Sequence, residues 1–200
     1  MIPERLIAET HVKSLEKTSF PELAERIVAL YKEEEDALLL GMLGQEYVIR
    51  HEGIFLHGQK APEAHTAVVL DYLFSSGTVS SRMPWRSISD FCAISSMDFG
   101  KKVELPIANY ATEIIARADA VLPMIDAELV PSFIDSDMAI TVRALPKVYL
   151  HLELSQESQD FPASAWVLFS NNANDFLSPS SLQVLAEMFK ERLLSLHRIY

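Results

Sequence analysis

The chain has 200 residues, of which 49% are hydrophobic and 22% charged, and a net charge of -11. That length suits one domain able to bury about 70% of its unfolded surface, and the composition is globular, not disordered. One cysteine, Cys92, excludes an internal disulfide framework and any all-cysteine cluster built from this chain alone. The acidity argues against a nucleic-acid surface, which needs clustered Lys and Arg to neutralise phosphate. Met1-Ile-Pro-Glu-Arg5 lacks the basic-then-apolar pattern of a secretory signal, and no apolar run reaches the ~18–20 residues of a membrane span. The expected location is the cytoplasm.

In chain order, Ser19 and Pro21 open a helix whose stripe is Leu23, Ile27, Leu30 and Tyr31. It runs toward Leu43, with Gly41 and Gly44 interrupting it. Residues 1–40 are thus expected as an N-terminal helical arm on a single domain whose body is 41–200. Tyr47–Arg50 and Ile54–His57 bracket His51-Glu-Gly53, the pattern of a β-hairpin. Pro62 opens a helix that Gly77 stops. A polar loop from Thr78 to Pro84 follows, and Trp85–Phe91 returns to the core. Leu105–Val121 reads as one further helix, with Ile107, Ala111, Ile114, Ile115 and Ala118 inward.

The most legible stretch comes last. Met138–Arg143 is a strand, and Val148–Leu154 alternates so that Val148, Leu150, Leu152 and Leu154 share one face. Tyr149, His151 and Glu153 share the other, which is expected to be wet or lightly covered. Trp166–Phe169 is a third apolar run. Ser178-Pro179 then caps a helix with the stripe Leu182, Leu185, Phe189, Leu193 and Leu196. The expected class is α+β: a mostly antiparallel sheet with helices packed on one face and a closing C-terminal helix.

The segments Leu145-Pro-Lys-Val148, Gln159-Asp-Phe-Pro-Ala163, Val167-Leu-Phe-Ser170 and Phe176-Leu177 resemble the end of an uncharacterised family, domain-of-unknown-function family 3786. Leu43-Gly-Gln-Glu-Tyr47, Leu70-Asp-Tyr-Leu73 and Trp85-Arg-Ser-Ile88 fall in the order of that family upstream. The resemblance implies a source among anaerobic bacteria and archaea and a setting beside iron–sulfur-cluster domains. This chain departs from the family in lacking the cysteine-rich module and in diluting the acids before Phe161 with Gln156, Ser158 and Gln159. The family carries no established activity to transfer.

The residues themselves offer few chemical motifs. The histidines form no H-E-x-x-H, no C-x-x-C exists, and no metal site is expected. There is no G-x-S-x-G, and the apolar neighbours of Cys92 suggest a buried inert thiol, so no catalytic residue is assigned. The glycines form no phosphate loop, and the cofactor is unknown. A functional pocket would require the strand-end loops to converge on Trp85, Arg86, Asp137, His151 and Asp160, the candidate ligand-binding residues.

The leading expectation is a non-catalytic ligand-binding or accessory protein, with a role in iron–sulfur or related cofactor metabolism implied by the resemblance. One alternative is a small acid/base or metal-assisted enzyme using Asp137, His151 and Asp160. Another is an acidic interaction module whose 119–160 surface docks a basic protein partner. The expected partners are a small-molecule ligand or that basic protein, with no nucleic acid and no membrane.

Overall fold

A computed structural model describes Leu15 and residues 17–91 and 95–196. Cys92, and with it the expectation of an inert thiol, lies outside the described residues. Helix α1 is Phe20–Ile27. The first sheet is a five-stranded antiparallel meander of β1 (Leu30–Lys32), β2 (Ala37–Met42), β3 (Gln45–Arg50), β4 (Gly53–Leu56) and β5 (Gln59–Lys60). The hairpin expected at 47–57 is present, with Ile49 opposite Ile54 and Arg50 opposite Gly53.

Ala37–Met42 is therefore a strand, where the sequence suggests continuing helix. The helix ends early because Val28 adopts a left-handed conformation (φ 60°) that reverses the chain. Leu38, Leu40 and Met42 then alternate into the core by period two. Gly44 makes the β2–β3 turn at φ +70°, and a Cβ there would fall 2.1 Å from the Met124 carbonyl oxygen. Only glycine satisfies both the torsion and that close approach.

Helix α2 (Glu63–Leu73) follows, and Arg26 of α1 donates to the carbonyls of Leu73 and Ser75 at its C-terminal end. The long helix expected at 105–121 is instead a broken series. Its parts are α3 (Ser96–Phe99), a π-helical turn (Gly100–Glu104), α4 (Leu105–Ala108), α5 (Ala111–Ala116) and α6 (Ala118–Val121). Pro106 accounts for the π-helical turn before it, since it has no N–H for the Lys102 carbonyl and its ring crowds that oxygen. Lys190 Nζ donates to Lys102 O instead, at 3.3 Å.

The second sheet is a four-stranded antiparallel meander of β6 (Ala127–Val130), β7 (Met138–Leu145), β8 (Val148–Ser155) and β9 (Ser164–Phe169). The sheets adjoin where the Leu43 N–H donates to Ala144 O at 3.0 Å. Helix α7 (Pro179–Leu196) closes the fold against α2 and the broken series. Its stripe Leu182, Leu185, Phe189, Leu193 and Leu196 joins Val148, Leu150, Leu152 and Leu154 in one buried cluster. The α+β expectation and its closing helix are both present, with the strands divided between two sheets. Among the described residues, no helix is long and apolar enough to cross a membrane.

Candidate functional site

Strand β8 presents its second face as the alternation requires, but most of that face is not wet. His151 and Glu153 are 2% and 1% exposed. Two loops cover them. Residues 85–86 run along the far edge of β9, where Arg86 and Phe169 exchange backbone hydrogen bonds of 2.9 and 2.8 Å. That pairing lays the Trp85 indole on the His151 imidazole, ring centroids 5.0 Å apart and 24° between planes. The β6–β7 loop brings Phe133 to the same imidazole, at 4.9 Å and 23°. His151 is thus held between two aromatic rings, contacts worth about 0.5–1.5 kcal/mol per pair beyond area burial.

Beneath this stack lies a buried charge. Glu153 Oε1 accepts from His151 Nε2 at 2.8 Å and from the Phe133 N–H at 3.2 Å, and Oε2 accepts from the Ser136 hydroxyl. Burial pushes the Glu153 carboxyl up. Hydrogen bonds from Ser136, His151, Ser132 and the Phe133 N–H outweigh it and hold the group below the usual carboxylate range. An ionised Glu153 makes His151 Nε2 the donor, so the imidazole orientation follows from the network. His151 Nδ1 is then buried with no hydrogen-bond partner among the described residues.

The arrangement has the carboxylate–imidazole half of an acid–base site. Its serine, however, spends its proton on the carboxylate and not on the imidazole, which is not the order that activates a nucleophile. Among the described residues, no three His, Cys, Asp or Glu side chains converge as a metal site would require.

Beside the stack the same face opens into a cleft of about 300 Å³ lined by Arg82, Asp126, Glu128, Thr141, Arg143 and Tyr149. Register explains its floor: Thr141 stands opposite His151, and Arg143 opposite Tyr149. The Arg82 guanidinium lies 3.9 Å above the Tyr149 ring and 3.4 Å from Glu128, while Arg143 Nε donates to Asp126 at 2.7 Å. Asp126 holds the Arg143 guanidinium above its ordinary pKa, so the cation persists at any physiological pH.

Of the five candidate residues, Trp85 and His151 come together. Arg86 pairs with Asp90 at 3.6 Å, Asp137 accepts the Gln156 N–H at 2.7 Å, and Asp160 is exposed on the β8–β9 loop. The sequence places Glu153 and Tyr149 on the His151 face but gives no reason to bring Phe133, Ser136, Arg82 or Arg143 to it. A signal existed for Glu153, which shares a strand face with His151 two residues away. None existed for Phe133, whose partner lies eighteen positions along the chain.

No curated protein and no solved structure matches this chain. A family model does, over residues 19–192, which take in both sheets, the aromatic stack and the cleft. The chain belongs to the family described as domain of unknown function (DUF3786).

Proposed function

We propose that this protein is a non-catalytic ligand-binding or accessory domain that takes a small anionic ligand, a carboxylate or phosphate, in the cleft above Tyr149. The observation that carries the reading is the pair of guanidinium groups flanking one aromatic ring in a cleft of about 300 Å³. A site of that size holds a small metabolite. The Arg82–Glu128 contact is long and exposed, so it is worth little and exchanges readily for a better-placed acceptor. Stacking on the Tyr149 ring holds the Arg82 guanidinium at the cleft. The floor of the cleft lies on two paired strands, which limits the entropy lost on binding. A role in iron–sulfur or related cofactor metabolism is proposed only from the resemblance read in the sequence, since the family itself is one of unknown function.

The test is thermal-shift screening of small carboxylates and phosphates, with calorimetry on any that stabilise the fold. Arg82→Ala and Arg143→Ala should each weaken a bound anion at least about tenfold while leaving the unfolding transition near its original place. A ligand that binds equally well to both variants would place the site elsewhere.

A further inference from the structure

We propose that the end of the second sheet carrying Phe133, Ile134, Phe161 and Trp166 is a docking surface for a basic protein partner, specifically a Lys- or Arg-rich segment with an apolar anchor. These four side chains are 54%, 48%, 74% and 55% exposed. Scattered apolar residues on a surface mean little, but a cluster rimmed by charge marks an interaction site.

Their clustering follows from the pairing. Trp166 stands opposite Glu153 on the adjacent strand, and Glu153 also receives the Phe133 N–H, which brings both residues to one carboxylate. Asp137 accepts the Gln156 N–H, which ties the β6–β7 loop carrying Ile134 to the β8–β9 loop carrying Phe161. The Phe133 loop is fixed further by the Ser132 hydroxyl, which accepts from the Ile134 and Ser136 N–H groups. The surface is therefore pre-organised, which lowers the cost of docking.

The rim identifies the occupant. Asp135, Asp137, Glu157 and Asp160 are all exposed, and among the described residues none of them forms an ion pair. The stretches 127–142 and 148–189 contain no Lys or Arg. A basic segment supplies the missing counter-charge and gains steering from it. A second copy of this chain would set the same carboxylates against one another across a two-fold axis, with a net charge of -11 on each side. An anionic lipid surface meets the same repulsion.

The surface uses none of the cleft's residues, so the two proposals fail separately. The probe is a synthetic amphipathic peptide of alternating Lys and Leu, compared by calorimetry with the same peptide carrying Glu in place of Lys and with oligolysine. The expected result is salt-sensitive binding of the Lys–Leu peptide alone. It should be weakened at least about tenfold by Phe161→Ser with Trp166→Ser, and also by Asp135→Asn with Asp160→Asn. Glu46→Gln, at an exposed carboxylate on β3, should leave it unchanged. Equal binding of oligolysine, no binding of the Lys–Leu peptide, or self-association abolished by Trp166→Ser would each overturn the proposal.

Discussion

The two sheets are built alike and used differently. Both are antiparallel meanders with an oily inner face: Leu38, Leu40, Tyr47 and Ile49 in the first, Leu150, Leu152 and Leu154 in the second. On the outer face of the first, Gly41 and Glu46 are exposed and Val48 and Arg50 half-buried, and the hollow there, about 220 Å³, is lined by residues such as Val48, Arg50 and Phe55. The second sheet covers its outer face with loops and buries a carboxylate–imidazole pair under aromatic rings. Burying polar groups is costly unless every partner is in place, so the second sheet spends stability that the first does not. The lesson is that an alternating pattern marks a two-faced strand but not what covers its polar side.

The sharpest way to break this comparison is to remove the buried carboxylate. Glu153→Ala strands His151 Nε2, the Phe133 N–H and the Ser136 hydroxyl, and should cost about 3–5 kcal/mol in urea denaturation. Its counterpart on the first sheet, the exposed Glu46→Ala, should stay within about 0.5 kcal/mol. Equal effects would mean that the two outer faces are equivalent.

The inner faces should instead respond alike. Leu40→Ala and Leu152→Ala should each cost about 2–5 kcal/mol, because both side chains are fully buried in one cluster. Fluorescence and circular dichroism should report a single shared transition for each variant.

His151→Ala comes next, at about 1–3 kcal/mol, since it leaves Glu153 short of a donor and opens a gap between Trp85 and Phe133. On the sequence alone, with His151 on a wet face, the same change would cost little stability. Trp85 fluorescence should shift as its stacking partner is lost.

The smallest effect is a pH dependence. The folded-state pKa of Glu153 is depressed, so its stabilisation is present above the ordinary carboxylate range and is lost as pH falls through the folded value. Glu104 works in the opposite sense. Burial raises its carboxyl despite the Val167 N–H bond, so the stability it contributes at low pH is lost as pH rises through that raised value. His65 is lowered by burial, so its contribution is present above the ordinary histidine range and fades as pH falls. The urea midpoint should therefore fall in acid, and Glu153→Gln should flatten the most acidic part of that fall. A midpoint unchanged by the substitution across that range would mean that Glu153 is not held ionised by its partners.

Much of the fold could be read from residues 138–196. Val148–Leu154 alternates strictly, and Ser178-Pro179 combines a capping residue with a proline suited to a helix start. Residues 30–42 could not be read as strands, because Leu38-Leu39-Leu40 fits a helix period as well as a strand period, and only pairing with Tyr47, Val48 and Ile49 decides it. Of the candidate site, Trp85 and His151 were legible as unusual residues on a sheet face and its covering loop. Phe133 and Arg82 were not, because each reaches the site from another part of the chain.

Side-chain patterning alone sets the α+β class, the closing helix and the face on which His151 stands. These follow from side-chain periods of two and 3.6, which are properties of neighbouring residues. Long-range packing sets the rest: the cover over this face, the hydrogen bonds that hold Glu153 ionised beside the aromatic stack, and the two arginines that border Tyr149. Those outcomes depend on where loops 78–86 and 131–137 land on the sheet. Strand register and backbone pairing such as Arg86 with Phe169 set that placement, and no local pattern of residues encodes it.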